Sequence, residues 1–414
     1  MLLIASVAFY NAVFILIIAI DHGIERVWYF GSLIFLAEYI TRPALRSLFI
    51  AGEFVVLCLC LLKREQFAFG IKNIHLLLFM IVNLILRFIM VFPAYHRDLI
   101  IYSYSGQAFV NGQNPYLEIF TVQRWKDYLY SRHPYERVGV EYPPLALLVM
   151  APIALFTNNP MFFKIPAFIA DLGNIYLVRI IAAKFYDKPT SNALAVIYAY
   201  SPAMIIASLG GWYDPVCLLL LMASILYYLN EKPTYSAMLL GLAIMTKWFP
   251  LLFLLPLLIH HHDRRFLKYG AITFAVCLAI SIPFMISNFE AYLFQFKFHL
   301  IYRGVRDIGY SIYRILNPYF PEIYRYALIF QAGAVAVILA LRRGDIKAGG
   351  GALLKAFRGI ITAFLVLNRV FSAQYLIFPY ALLLATFGLT LTMKPLPNLH
   401  DNLKQHQSDS ARER

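Results

Sequence analysis

Long apolar runs separated by short polar breaks extend over most of the chain. An α-helix needs about 20 apolar residues to cross the hydrocarbon core of a bilayer. His75–Pro93, Met161–Ala182 and Leu267–Ile286 have this length and character. With the shorter runs, they give roughly 11 to 14 apolar segments. The pattern predicts an all-α fold, a multi-pass transmembrane helical bundle that makes the chain an integral membrane protein.

One long polar stretch, residues 95–142, interrupts this pattern and is rich in tyrosine. It is too polar to lie in hydrocarbon, so we expect a large external loop at the membrane surface that carries the active site. The rest of the chain divides around it, with additional transmembrane helices over 1–70, a catalytic transmembrane domain over 71–396 and a disordered cytoplasmic tail over 397–414.

The short breaks between apolar runs are rich in Lys and Arg, which is typical of cytoplasmic loops. This pattern predicts that the large loop lies on the non-cytoplasmic face of a plasma membrane or, in a eukaryote, of an ER-type membrane. The segment "GGWYDP" (210–215) falls on the same face, so Pro143–Phe156 cannot cross the membrane completely. Either Pro143–Phe156 is re-entrant or another span is misplaced.

Composition agrees with a membrane protein, because 61% of the residues are hydrophobic and only 14% are charged. A formal net charge of +14 would suggest nucleic-acid binding in a soluble protein. Here the basic residues flank apolar runs, where they contact anionic headgroups, so we expect membrane lipids as partners and no nucleic acid. The four cysteines and the segment "HHHDRR" (260–265) lack metal-ligand spacing, and no metal site is predicted.

Two carboxylates are the first candidates for chemistry. Asp98 follows a predicted span by a few residues, where it could take a proton from a sugar hydroxyl as a general base. The alternative is an interfacial carboxylate paired with Arg97. Asp214 precedes Pro215, so it is either an ordinary helix N-cap or a functional group.

Several basic residues interrupt apolar surroundings. Lys247 and Arg369 could each extend to the membrane surface without further function, or bind a lipid phosphate. Lys164 and Asp171 are seven residues apart, which predicts that they share one face of a helix. This second pair could form a structural ion pair or contact the substrate.

The polar elements of the chain resemble a known superfamily. They are "RDLIIYSYSGQAFVNGQNPY" (97–116), "YPPL" (142–145), "SPAMIIASLGGWYDP" (201–215), "GLAIMTKWFPLLFLLPLL" (241–258) and "NRVFSAQYLIFP" (368–379). In this order they resemble the GT-C membrane glycosyltransferases, and most of all the polyprenyl-phosphate-mannose-dependent mannosyltransferases of glycosyltransferase family 87. The likeness covers roughly residues 74–393. Trp212–Tyr213 departs from the family's Gly-Gln, and Ala373 replaces a common Pro.

The resemblance implies a GT-C type of bundle and a role for each matching residue. Asp98 would be the general base, and Asp214 a second active-site carboxylate. Lys247 and Arg369 would bind the donor phosphate. The other expected substrate-binding residues lie in the same elements and are Arg97, Asn114, Tyr116, Tyr142 and Gln374.

The implied reaction moves a hexose, with mannose expected, from a polyprenyl-phosphate-linked sugar donor to a lipid or glycan acceptor, with inversion. No nucleotide motif is visible and no cofactor is expected. A transporter or flippase for lipid-linked glycans remains an alternative, with Asp171 and the helices broken near Lys247 as its transport site. Two further alternatives are a non-catalytic assembly partner of such an enzyme, and a polymerase or ligase that acts on lipid-linked glycans.

Overall fold

The structure is a computed structural model that describes residues 73–91, 98–117, 140, 142–201, 204, 207–208, 210–261, 263–297, 311–371 and 373–386. These residues form helices joined by turns, and no strand occurs among them, which confirms the prediction of an all-α fold. The additional helices predicted over 1–70, Arg97, residues 118–139 of the large loop and the 397–414 tail lie outside the described residues.

The helices of the described ranges are numbered in chain order. The α-helices are α1 (Asn73–Val91), α2 (Asp98–Val110), α3 (Pro144–Ala154), α4 (Ile165–Ala182), α5 (Lys188–Ala199), α6 (Asp214–Leu229), α7 (Pro233–Ile244), α8 (Leu254–His260), α9 (Arg264–Ser287), α10 (Phe289–Lys297), α11 (Ile312–Leu316), α12 (Ala327–Leu341), α13 (Arg343–Ala348), α14 (Gly350–Val366) and α15 (Ile377–Ala385). Short 3-10 helices cover Pro160–Lys164, Phe249–Phe253, Ile323–Tyr326 and Ala373–Leu376.

Three helical stretches in the described part of the chain are long and apolar enough to cross a membrane, and shorter apolar helices accompany them. The three stretches are Pro160–Ala182, Arg264–Ser287 and Ile323–Leu341. Each presents large apolar side chains outward, such as Ile169, Phe274 and Ile329. Such surfaces suit contact with lipid, in agreement with the predicted multi-pass bundle.

Hydrogen bonds between neighbouring helices join α6, α7 and α9 inside the bundle. Ser224 on α6 and Ser236 on α7 each donate to the other's carbonyl oxygen at 2.8 Å, and the Tyr269 hydroxyl of α9 lies 2.7 Å from Ser236 Oγ. Gly241 lets α7 and α9 approach closely, because a Cβ at this position would lie 2.8 Å from Val276 Cβ. Polar bonds and small residues at helix contacts are typical of membrane bundles.

The helix ends gather into two groups. At the first, α4 begins beside Gly211, α6 begins at Asp214, and the segment after α7 carries Lys247, which contacts Asp214 and Tyr375. We call this group the site end; among the described residues it comprises 98, 142–145, 164, 211–214, 245–247, 368–371 and 373–375. We call the other group the opposite end; among the described residues it comprises 183–188, 228–232, 260–261, 263–265 and 342–350.

The short helix α3 does not cross the bundle. Its beginning contacts the site end, where Leu145 N donates to the Met245 carbonyl at 2.9 Å. Lys164, which follows the end of α3 along the chain, is also at the site end, against Gly211. The 11 residues of α3 rise only about 16 Å, about half of a hydrocarbon core. This arrangement favours the re-entrant alternative for Pro143–Phe156.

Candidate functional site

The first candidate, Asp98, is the first residue of helix α2. This part of the predicted external loop is helical, and Tyr102 and Ser105 are buried in the bundle. The Ser105 hydroxyl donates to the Ile101 carbonyl of its own helix at 2.6 Å, which satisfies its polar group. A carboxylate in the first turn of a helix is stabilised by the backbone N–H groups and the helix dipole.

Within the described part of the chain, Trp212 and Tyr142 donate hydrogen bonds to the Asp98 carboxylate, and both contact the same oxygen. Trp212 Nε1 lies 3.1 Å from Asp98 Oδ2, and the Tyr142 hydroxyl lies 3.4 Å from it. Tyr102 in turn donates to the Tyr142 hydroxyl at 2.9 Å. Burial and the neighbouring Asp98 charge raise the pKa of Tyr142 well above its ordinary value, so Tyr142 remains a neutral phenol. The three groups fix the orientation of the carboxylate.

The "GQNPY" element acts as a scaffold for Tyr142. Asn114 Oδ1 accepts from the Tyr116 backbone N–H at 3.0 Å, while Asn114 Nδ2 donates to Ser287 Oγ at 3.0 Å. The Tyr116 hydroxyl then donates to the Tyr142 carbonyl at 2.8 Å. The contacts of Asn114 and Tyr116 in this structure therefore support a neighbour of Asp98; their predicted contacts with a sugar stay a prediction.

A buried ion pair lies near Asp98. Lys247 Nζ is 2.6 Å from Asp214 Oδ1, with side-chain exposures of 12% and 1%. Lys247 Nζ also lies 4.6 Å from the centre of the Tyr375 ring, a cation–π contact. Asp98 and Asp214 interact electrostatically. The Lys247 charge is therefore neutralised inside the protein by Asp214, and its contacts do not favour the alternative in which Lys247 only extends to the membrane surface.

The position of Asp214 differs from that of an N-cap. Tyr213 is the N-cap of α6, its side chain makes no capping hydrogen bond, and Asp214 is the first helical residue. The second carboxylate oxygen, Asp214 Oδ2, is buried and has no hydrogen-bond partner among the described residues. An unsatisfied buried oxygen is costly, which makes a purely stabilising role for this carboxylate a poor explanation.

The remaining predicted residues occupy the neighbouring segment after α14. Arg369 and Gln374 are both buried, and Gln374 precedes the Tyr375 that contacts Lys247. Arg369 lies close to Tyr313 and Tyr324. Both residues thus belong to the site end, with Arg369 on the side of the segment 311–326.

Lys164 and Asp171 occupy different places: Lys164 lies at the site end and Asp171 lies in the core. Lys164 ends the 3-10 helix before α4 and is fully buried, and its Cγ and Cα atoms lie against Gly211. Asp171 lies further along α4, where its Oδ1 accepts from the Tyr198 hydroxyl at 3.1 Å. The described contacts therefore give the two residues different surroundings.

The histidines at 260–261 lie at the opposite end and make structural contacts. His260 Nδ1 is 3.2 Å from the Lys347 carbonyl, and His261 Nε2 is 3.1 Å from the Tyr228 hydroxyl. No group of three His, Cys, Asp or Glu side chains that could hold a metal ion occurs within the described ranges.

Three site residues had no role assigned from the sequence: Tyr102, Trp212 and Tyr375. Tyr102 is one helical turn after Asp98, a signal that depends on knowing that this segment is helical. In the sequence, Trp212 is marked only by its departure from the family pattern and by the two glycines before it, which indicate a close approach of the backbone. Nothing in the sequence marks Tyr375 apart from its place beside Gln374.

Comparison with known proteins bears on the predicted family resemblance. The sequence profile of glycosyltransferase family 87 matches residues 141–306 of this chain. This range includes Trp212, Asp214 and Lys247. GPI mannosyltransferase 1 of Dictyostelium discoideum is 21% identical over 318 residues, 70% of this chain and 64% of that protein. GPI mannosyltransferase 1 of Debaryomyces hansenii is 26% identical over 285 residues, 61% of this chain and 69% of that protein.

These matches confirm the predicted resemblance to membrane mannosyltransferases and support a glycosyltransferase. The chain spans 64% of the length of the Dictyostelium protein. No solved structure matches the chain.

Proposed function

We propose that the chain is a membrane mannosyltransferase that moves a hexose, with mannose favoured, from a polyprenyl-phosphate donor to a lipid-linked glycan. One observation carries the proposal: Asp98, oriented by Trp212 and Tyr142, lies near the buried Asp214–Lys247 pair. The match to glycosyltransferase family 87 and the two GPI mannosyltransferase 1 relatives support the reaction class. Because those relatives carry GPI in their names, a GPI precursor is the first acceptor to test.

In the proposed reaction Asp98 is the general base. The acceptor hydroxyl oxygen attacks the anomeric carbon of the donor sugar, and Asp98 takes the hydroxyl proton. The bond between the anomeric carbon and the phosphate oxygen breaks, and its electron pair leaves with the polyprenyl phosphate. Attack opposite the leaving group inverts the anomeric carbon. Holding two large lipids in this geometry supplies much of the acceleration.

Lys247 is the proposed ligand of the donor phosphate. Its ammonium has three N–H donors, and Asp214 uses one of them. Within the described residues no other side chain forms a hydrogen bond with Lys247, so two donors suit phosphate oxygens. Asp214 is 1% exposed, and its proposed role is to hold Lys247 in place rather than to meet the acceptor. Arg369 is proposed as a second phosphate ligand and Gln374 as a sugar contact.

The proposed orientation puts the site end on the non-cytoplasmic face. The opposite end carries the basic residues that the positive-inside rule assigns to the cytoplasm. They are Lys184, Lys188, Lys232, Arg264, Arg265, Arg342, Arg343 and Lys347.

The test is transfer of radiolabelled mannose from polyprenyl-phosphate-mannose to a GPI precursor by the purified chain in detergent. We compare the wild type with Asp98→Asn and with Asp263→Asn. Asp263 caps α9 at the opposite end, accepting from Arg265 N at 2.9 Å, and Asn caps a helix equally well. Because a general base contributes about 10²–10⁴-fold, we expect transfer to fall at least about a hundredfold only in Asp98→Asn.

Each other outcome points to a specific alternative. Transfer that survives in a folded Asp98→Asn chain would remove Asp98 from the proton transfer. If the wild type transfers neither mannose nor glucose from the polyprenyl-phosphate donors, the transporter and assembly-partner alternatives take precedence.

A further inference from the structure

Two consecutive glycines bring an indole ring against the Asp98 carboxylate. Gly210 lies directly under Trp212, since a Cβ on Gly210 would be 2.2 Å from Trp212 Cζ3. Gly211 has a φ of +76°, and a Cβ there would lie 2.7 Å from Leu99 Cδ2 and 2.8 Å from Lys164 Cγ. Both positions therefore exclude a side chain, one to seat the indole and one to turn the backbone.

The residue after Trp212 holds this turn against helix α2. The Tyr213 ring is fully buried and lies 4.5 Å from the Tyr102 ring, centre to centre, at an interplanar angle of 30°. Tyr102 is one turn after Asp98 on the same helix. Trp212 itself is only 9% exposed, so its indole N–H, 3.1 Å from Asp98 Oδ2, is held by packing on several sides.

We propose that Trp212 is a positioning residue for Asp98, and that Gly210 and Gly211 are required to place it. The proposal rests on the proposed function, in which Asp98 is the base. Because Trp212 and Tyr142 both donate to Oδ2, they prevent the carboxylate from rotating about its Cβ–Cγ bond. The carboxylate is thus fixed before the acceptor binds, which is the preorganisation that proton transfer needs.

The first test separates the N–H donor from the shape of the ring. Trp212→Phe keeps an aromatic ring but removes the donor, and we expect kcat to fall about 10- to 100-fold with the donor KM unchanged. Trp212→Gln restores an N–H donor, and we expect most of the lost kcat to return. A raised donor KM with normal kcat, or equal kcat in the wild type and Trp212→Phe, would overturn the proposal.

The second test displaces the indole without changing it. Gly210→Ala should lower kcat as Trp212→Phe does, because the new methyl group would occupy the place of the ring. Gly333→Ala is the matched control: nothing lies within 4 Å of a Cβ at this helical position, and we expect no change in kcat. Normal kcat in Gly210→Ala would contradict the role assigned to the glycines.

A double-mutant cycle of melting temperatures tests the contact between Trp212 and Asp98 independently of transfer. Trp212→Phe should lower the Tm by about 2–4 °C in a chain that has Asp98, and by clearly less in a chain that carries Asp98→Ala. If the wild type transfers no mannose, the proposed function fails, and this cycle still decides whether Trp212 holds Asp98. Equal Tm shifts in both backgrounds would overturn the positioning role.

Discussion

The two ends of the bundle differ in whether their ion pairs are buried or exposed. At the site end, Asp214 and Lys247 pair at 2.6 Å with almost no exposure, although 33 residues separate them in the sequence. At the opposite end, Arg342 pairs with Asp345 three residues away, with side-chain exposures of 60% and 24%. The first pair requires the whole fold to form, whereas the second needs only one helical turn.

This difference distinguishes charges that serve the site from charges that only face solvent. An exposed pair contributes little to stability, so Arg342 and Asp345 serve mainly as a soluble surface. A buried pair loses much of its Coulomb gain to desolvation, and apolar residues in its place are often as stable. The burial of Asp214 and Lys247 is therefore better explained by the chemistry of the site than by stability. Four experiments, each with its own set of variants, test this comparison and are given from the largest expected effect to the smallest.

Breaking the buried pair should have the largest effect on stability. Lys247→Met leaves the Asp214 carboxylate buried without its partner, which costs about 3–5 kcal/mol. Arg342→Met breaks the exposed pair and should cost at most about 1 kcal/mol. Denaturant titration in detergent micelles measures both changes in the free energy of unfolding.

The double variant Asp214→Leu/Lys247→Met separates stability from function. Since neither charge remains, we expect its free energy of unfolding to return close to the wild-type value. We expect transfer to be lost, because Lys247 is the proposed ligand of the donor phosphate. Equal losses for Lys247→Met and Arg342→Met would refute the distinction between the two ends.

A pair of glycines extends the comparison to the backbone. Gly211 at the site end and Gly350 at the opposite end both have positive φ, +76° and +52°. Alanine costs roughly 1–2 kcal/mol in this conformation at either position. At Gly211 its methyl group also meets Leu99 and Lys164, which adds about 1–3 kcal/mol, whereas nothing lies within 4 Å at Gly350. Unfolding titrations of the two variants should show this difference, and equal costs would contradict it.

The sequence predicted the bundle because hydrophobic length alone requires helices in a bilayer. It also predicted that "GGWYDP" lies on the same face as the large loop, and the hydrogen bond from Trp212 to Asp98 agrees with this prediction. The further contacts that bring Asp214, Lys247 and Tyr375 together were not predicted. Their pairing could not be predicted, because it depends on how the ends of different helices meet. The Asp214–Lys247 distance is a property of tertiary structure that no local pattern records.

Local sequence patterns do not show the conformation where tertiary packing decides it, as at Asp98–Val110 and at the start of α6. Within the predicted external loop, Asp98–Val110 is helical, and α3 and the 3-10 helix at Pro160–Lys164 pack against it. The proline after Asp214 suggested an N-cap, but Tyr213 occupies that place while Asp214 pairs with Lys247. In both cases tertiary contacts, and not the local sequence, decide the conformation.

Removing one hydroxyl at each end should give similar stability changes but different activities. Tyr142→Phe removes a donor to Asp98 and the acceptor of Tyr102, at a cost of about 1–3 kcal/mol. We expect transfer to fall at least about tenfold, which corresponds to about 1.4 kcal/mol of lost transition-state stabilisation. Tyr228→Phe removes the contact with His261 and should leave transfer unchanged. Unfolding titrations and transfer assays on both variants would show whether activity depends on the site end alone.

The smallest expected effect is a pH dependence of stability that arises at the opposite end. Burial lowers the pKa of His261 below its ordinary 6.5, and repulsion from His260 adds to this while Asp263 opposes it. Because the unfolded chain then binds the proton more readily, this stability is fully present above about pH 6.5 and is lost as the pH falls. We expect the Tm to decline from pH 8 to pH 5, and to decline less in His261→Gln. Parallel curves for the two chains would show that the dependence arises elsewhere, including from titrating groups of the site end.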